Sequence, residues 1–266
     1  MKDYSSESLA LHEKLKGKIS ISLKTDLKSK KDLTLCYSPG VAEPVRQIAN
    51  DEERVWDLTI KGNMVAVVTD GSAILCLGNL GPEAAIPVME GKAMLFKKFA
   101  GVDAFPICLA TQNTEEIIQT IRNIAPVFGG INLEDISSPR CFEIEERLQT
   151  LGIPVFHDDQ QGTATVLLAG LLNALKVTGR DIHNTRFALV GLGAANVATL
   201  RLLEASGVSL QQVIATDSRG ILHKDRTDIA AQAEDYPDKW RVCLGSNPDD
   251  VRGGVAEAMA GADVCI

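Results

Sequence analysis

The sequence is poor in several things, and each shortage excludes a class of protein. No run of about 18 consecutive apolar residues occurs, and the N-terminus has no apolar signal core. The chain therefore reads as soluble and cytoplasmic, with no membrane partner. Basic residues are outnumbered: 27 Lys and Arg face 35 Asp and Glu, for a formal net charge of −8. A nucleic-acid or anionic-membrane partner would require a basic face, and neither is expected. The one basic cluster, Lys28-Ser-Lys-Lys31, reads as a solvated loop. Six cysteines at 36, 76, 108, 141, 243 and 265 contain no Cys-x-x-Cys pair, which argues against a zinc site or a disulfide framework. They read as buried thiols of a reducing compartment. Internal repeats and low-complexity tracts are also missing.

What is present is ordinary globular material, 45% hydrophobic and 23% charged over 266 residues. That is enough chain for one large or two modest cores. Ser5 to Lys16 carries Leu9, Leu11 and Leu15 among charges, a weak amphipathic helix. Lys18 to Thr34 is expected to be irregular. Tyr37-Ser-Pro-Gly-Val-Ala-Glu-Pro44 reads as a loop, with Pro44 in the first turn of the next helix. Strands are expected at Met64–Thr69, Ile74–Leu77, Ala104–Leu109, Val127–Ile131 and Ile153–Phe156. Helical periods cover Pro82–Phe99, Thr114–Ile124 and Pro139–Leu148. Alternation of strands and helices predicts an α/β fold with a parallel sheet. The span Thr163–Thr178 is apolar on nearly every side, the pattern of a buried helix. The chain stops at Gly261-Ala-Asp-Val-Cys-Ile266, as a further apolar strand begins, and we expect a fragment of a longer protein.

The stretch 187–208, FALVGLGAANVATLRLLEASGV, combines a strand, a Gly-x-Gly turn and a helix. Such a turn lets backbone approach a pyrophosphate at the helix N-terminus. Gly191, Gly193, Ala194, Ala195 and Asn196 are the candidate phosphate contacts. Asp217 closes the next strand, where a carboxylate can bond a ribose hydroxyl. A structural tight turn is the plainer alternative. Asn196 stands where the fingerprint has its third glycine, so looser helix–strand packing is expected. Asp217 leans towards NAD, while Arg219 and Lys224 nearby can meet the 2′-phosphate of NADP.

Two acidic pairs also end strands: Glu134-Asp135 in GGINLED and Asp158-Asp159 in FHDD. Like charges so close repel unless a cation sits among them. Oxygen-only donors suit Mg²⁺ or Mn²⁺. Helix capping by Asp135 and Asp159 is the alternative for each pair taken alone. His157 beside them reads as a satisfied histidine. Lys92 can be an ordinary surface lysine of an amphipathic helix, or a base, since desolvation in its apolar setting Gly91-Lys-Ala-Met94 favours a neutral amine. Tyr37 beside Ser-Pro-Gly can be a packed ring or a positioned acid.

Together CYSPGVAEP, VVTDGSAILCLGNLGP, GKAMLFKKFAGVDAFPI, INLED, FHDDQQGTA and VGLGAANVA resemble the malic enzymes, most closely the shorter bacterial type, from about Ser20 to the end. The resemblance implies an N-terminal parallel-sheet catalytic domain over 1–162, followed by a partial Rossmann-like dinucleotide-binding domain over 163–266. It implies oxidative decarboxylation of (S)-malate to pyruvate and CO₂ with NAD or NADP, in a homodimer. It further implies Tyr37 as general acid and Lys92 as general base. Glu134, Asp135 and Asp159 would be the metal ligands, with Asp158 a carboxylate near the lysine. Larger members carry an arginine after TDG; here Ser72-Ala73 follows, as in the short type. Oxaloacetate decarboxylation, malolactic conversion and a metal-binding module stay open as alternatives.

Overall fold

A computed structural model describes residues 4–75 and 77–266. The chain forms two compact units: residues 1–136 with 147–155, and residues 137–146 with 156–266. The described strands form two four-stranded sheets.

The first sheet contains β1 (Met64–Thr69), β2 (Asp103–Cys108), β3 (Gly130–Leu133) and β4 (Val155–His157), in the order β2-β1-β3-β4. β1 pairs in parallel with both β2 and β3. Its Ala66, Val67 and Val68 are completely buried, which is why this run is continuously apolar rather than alternating. The helices Pro82–Leu95 and Thr114–Ile124 bring Met89, Ile117, Ile118 and Ile121 into the same core. In the second helix those residues recur at three- and four-residue spacing, so one stripe faces inward.

The second sheet has the order β7-β6-β5-β8, with β5 at Phe187–Val190, β6 at Val213–Asp217, β7 at Gly220–Ile221 and β8 at Val264–Cys265. β5 pairs in parallel with β6 and β8, and β7 returns antiparallel on β6. Phe187, Leu189, Leu200, Leu203 and Val213 form its core with Leu171 and Leu175.

Several expectations are corrected. A helix over Lys30–Cys36 begins inside the span expected to be irregular. Ser29 caps it reciprocally with Asp32, so half of the basic cluster opens a helix instead of a loop. The third strand starts at Gly130 rather than Val127, because Pro126 sits in a 3₁₀ turn over Ala125–Val127 that ends on the Phe128 N–H. Ile74–Leu77 is a turn and not a strand: the Ile74 N–H bonds the Gly78 carbonyl, and the Leu77 N–H bonds that of Ile74. Cys76, inside that run, lies outside the described residues. Thr163–Thr178 is helical, but only Ala164, Leu171 and Leu175 are buried; Val166 is 74% and Val177 87% exposed. One stripe on its unit's core is enough to hold it. The thiols also divide: Cys141 and Cys243 are buried, whereas Cys36 and Cys265 are exposed. No helix among the described residues is long and apolar enough to cross a membrane.

Candidate functional site

β3 runs out at Leu133, and Glu134 and Asp135 follow at once. Both are buried, at 5% and 4% exposure, a costly place for two carboxylates unless charge and donors surround them. The Glu134 N–H still bonds the Val68 carbonyl of β1, so the strand ladder fixes its backbone. Asp135 takes a left-handed conformation, φ +52°, which aspartate tolerates better than most residues. This turns the chain out of the sheet, and the Asp135 carbonyl accepts the Ala73 N–H.

Lys92 lies near the end of the helix Pro82–Leu95, and its Nζ is 3.3 Å from Glu134 Oε2. The pair is enclosed, with side-chain exposures of 20% and 7%. The same Oε2 accepts a hydrogen bond of 2.9 Å from Asn132 Nδ2. Asn132 itself is wholly buried on β3. Sequence reasoning missed this residue, although its place two positions before Glu134 puts both on one face of the strand. It also missed Asp70, which closes the turn after β1. Asp70 Oδ1 accepts from the Ser72 N–H at 3.0 Å and from the Ser72 hydroxyl at 2.5 Å.

Tyr37 caps the helix Lys30–Cys36, and its side chain is 68% exposed. Structure thus brings Lys92 onto Glu134 and leaves the Tyr37 phenol open to solvent.

β4 ends at His157, and the chain winds a wide π-helical turn over Asp158–Gly162 before the α-helix Thr163–Thr178. Such turns recur at functional sites because they redirect side chains without ending the helix. His157 is fully buried with Nε2 3.7 Å from Asp159 Oδ2. Gly162 makes room for Asp158: a Cβ on Gly162 would lie 2.5 Å from Asp158 Oδ1. Asp158, Gly162, Thr163, Val166 and Leu167 line an open cleft of about 470 Å³. Burial, followed by the Asp159 charge, pushes the Cys141 thiol up to about 12.

In the second unit the glycine turn has the form expected for a pyrophosphate. Gly191 takes φ +85°, which a side chain would oppose. Gly193 caps the helix Ala194–Ala205 with no side chain bonded to the first N–H groups, and the space before it is open. Orphan donors of this kind are suited to an anion. Asn196 does not loosen the turn. Its Nδ2 donates to the Gly191 carbonyl at 2.8 Å and to that of Val190 at 3.3 Å, so the side chain staples the turn to its helix. Asp217 ends β6 with both oxygens bonded to Arg226. Burial alone would raise its carboxyl, but the Arg226 guanidinium holds it below the usual carboxylate range.

The profile "Malic enzyme, N-terminal domain" matches residues 16–117 and 110–149, and "Malic enzyme, NAD binding domain" matches 160–250. The chain is 54% identical over 251 residues to an NAD-dependent malic enzyme of Geobacillus stearothermophilus, covering 94% of this chain and 51% of that protein. It is 49% identical over 261 residues to the bifunctional malic/malolactic enzyme of Bacillus subtilis (strain 168), covering 98% of this chain and 62% of the relative. The Entamoeba histolytica malic enzyme structure superposes with a TM-score of 0.92 at 40% identity, over 99% of this chain and 55% of that one. The chain thus spans about half to three fifths of the length of these relatives. Two matched domains, the solved neighbour's fold and these identities lead to one conclusion: the chain belongs to the malic enzyme family.

Proposed function

We propose that this chain carries the centre for oxidative decarboxylation of (S)-malate to pyruvate and CO₂, with hydride passing to NAD or NADP. The observation that carries the reading is the enclosed Lys92–Glu134 pair at the end of β3. It joins a basic group to the first carboxylate of an acidic strand end.

The donor chemistry fits a hard divalent cation. Glu134 and Asp135 directly follow β3, and they and Asp159, the third acid that the family resemblance names, each offer a carboxylate oxygen. All-oxygen donors favour Mg²⁺ or Mn²⁺ over softer metals. When bound, the cation supplies Lewis-acid charge to the substrate oxygens, and the nicotinamide supplies the hydride acceptor.

The protein's own groups do the rest. Lys92, as the neutral amine, takes the C2 hydroxyl proton while the hydride leaves C2. Glu134 and Asn132 fix where that amine stands. The keto acid then loses the carboxylate on C3 as CO₂, and the bonding pair moves to form the enolate of pyruvate. Tyr37 delivers a proton to C3. Backbone N–H groups of the Gly191–Asn196 turn hold the cofactor phosphates.

The test is malate-dependent reduction of NAD or NADP by this chain with Mn²⁺. Absence of reduction with either nucleotide overturns the reading. Lactate formed without net nucleotide reduction would instead support malolactic conversion, which the name of the Bacillus subtilis relative describes. We also read the chain as a cytoplasmic homodimer. The exposed Leu9, Leu11 and Leu15 on the helix Ser5–Leu15 support a second copy, and a monomer mass in sedimentation would overturn it.

A further inference from the structure

A carboxylate that closes the second strand of a dinucleotide-binding sheet does two things. It accepts a ribose hydroxyl, and its charge repels a phosphate on the 2′ position. The second effect requires that the charge be uncompensated, and at Asp217 it is not.

One guanidinium occupies the whole carboxylate. Arg226 Nη1 donates to Asp217 Oδ1 at 3.1 Å and Nη2 to Oδ2 at 2.9 Å. Through Nε and Nη2 the same group also holds Asp228, both contacts at 2.8 Å. The Asp217 and Arg226 side chains are only 11% and 10% exposed, so little water screens the pair. Lys239 Nζ stands 3.9 Å from Asp217 Oδ2, and Arg219 reaches Asp228 at 3.3 Å. Three cations therefore face two carboxylates, and the corner carries one net positive charge where a lone aspartate would leave a negative one.

Arg219 is the exposed part of this arrangement. Its N–H donates to Asp217 Oδ1 at 2.9 Å, which anchors its backbone at the strand end. Its side chain is 71% exposed, and its contact with Asp228 is a surface pair worth little. Exchanging that partner for a phosphate costs little and gains a charge-assisted bond of the kind a guanidinium makes bidentately.

We propose that this corner of the second unit accepts the 2′-phosphate of an NADP-type cofactor, with Arg219 meeting the phosphate and Arg226 acting as the positioning residue that neutralises Asp217. The inference rests on the nucleotide-binding reading above and deepens it by naming the cofactor class.

Calorimetric titration with adenosine 2′,5′-bisphosphate and with 5′-AMP, which differ only by the 2′-phosphate, tests it without turnover. The bisphosphate is expected to bind about tenfold tighter than AMP, the size of one charge-assisted contact. Arg219→Gln, at an exposed position, is expected to collapse that difference while the melting temperature stays close to the parent's. Arg226→Met is expected to weaken the bisphosphate more than AMP. AMP binding as tightly as the bisphosphate overturns the proposal, and so does a preference that survives Arg219→Gln. If neither ligand binds, the nucleotide reading itself fails, and this inference with it.

Discussion

Glu134 Oε2 is shared by two donors: Lys92 Nζ at 3.3 Å and Asn132 Nδ2 at 2.9 Å. The carboxylate thereby locates the amine, and a buried amide from the same strand locates the carboxylate. Lys92→Met removes the proposed base and should lower turnover about 10²- to 10⁴-fold, the range for a positioned acid–base group. Asn132→Ala should act more gently, because it removes only the support. We expect about tenfold weaker Mn²⁺ binding, as for other groups that orient a ligand, with Lys92 still in place. Manganese titration of both variants separates the roles: unchanged affinity in Asn132→Ala would show that the amide does not position Glu134.

Gly162 offers a case where stability and activity should part. Its backbone, φ −62° and ψ −53°, is already helical, so alanine suits it and should raise helix stability by up to about 1 kcal/mol. The new Cβ, however, would lie 2.5 Å from Asp158 Oδ1 and must displace that carboxylate. Gly162→Ala should hold or raise the melting temperature while malate turnover falls. Full turnover in a variant of unchanged stability would remove Asp158 from the mechanism.

Asn196 should resist replacement by the glycine of the usual fingerprint. Its two bonds to the carbonyls of Val190 and Gly191 hold the turn that presents Gly193, and glycine supplies neither. Within a helix, glycine further costs about 1 kcal/mol relative to alanine. Nucleotide affinity should therefore fall in both Asn196→Ala and Asn196→Gly, and thermal stability should fall further in the glycine variant. An increase in affinity on Asn196→Gly would mean that the asparagine is only tolerated.

These residues also show what the sequence makes legible and what it does not. β1 was readable to the residue because a strand buried on both faces is continuously apolar, as Ala66-Val-Val68 is. The strand, glycine turn and helix at 187–205 were readable because each carries its own local signal. The third strand was misplaced by three residues because Val127 and Phe128 look strand-like while Pro126 winds them into a turn. Apolar composition also overstated the burial of Thr163–Thr178, since composition reports what a side chain prefers and not what stands opposite it. The least legible contacts are those made across long stretches of chain. Lys92 meets Glu134 across 41 intervening residues, and nothing local to either announces it. Arg226 on Asp217 is nearer in sequence, but its burial arises only when β6 and the following turn fold together.

The Arg226 network gives a pH signature whose sign can be worked out. Burial raises the Asp217 carboxyl and the Arg226 guanidinium outweighs it, while Asp228 is lowered chiefly by its hydrogen bond from Arg226. Both folded-state values therefore lie below the unfolded reference of about 3.9. A depressed carboxylate contributes stability that is complete above the unfolded value and disappears as pH falls through the folded one. The melting temperature should thus be insensitive to this network between about pH 7 and pH 5, then decline below about pH 4. Other carboxylates in the chain add to the same acid loss, so the unaltered protein alone cannot assign it. Arg226→Met isolates the network, because it leaves the enclosed Asp217 with the Arg219 N–H and the more distant Lys239 in place of a bidentate guanidinium. That variant should melt well below the parent at neutral pH, and the gap should narrow on acidification as Asp217 becomes protonated and neutral. Paired melts from about pH 7 to pH 3 check this, and a gap of constant size across the series would show that the guanidinium stabilises by packing and not by charge.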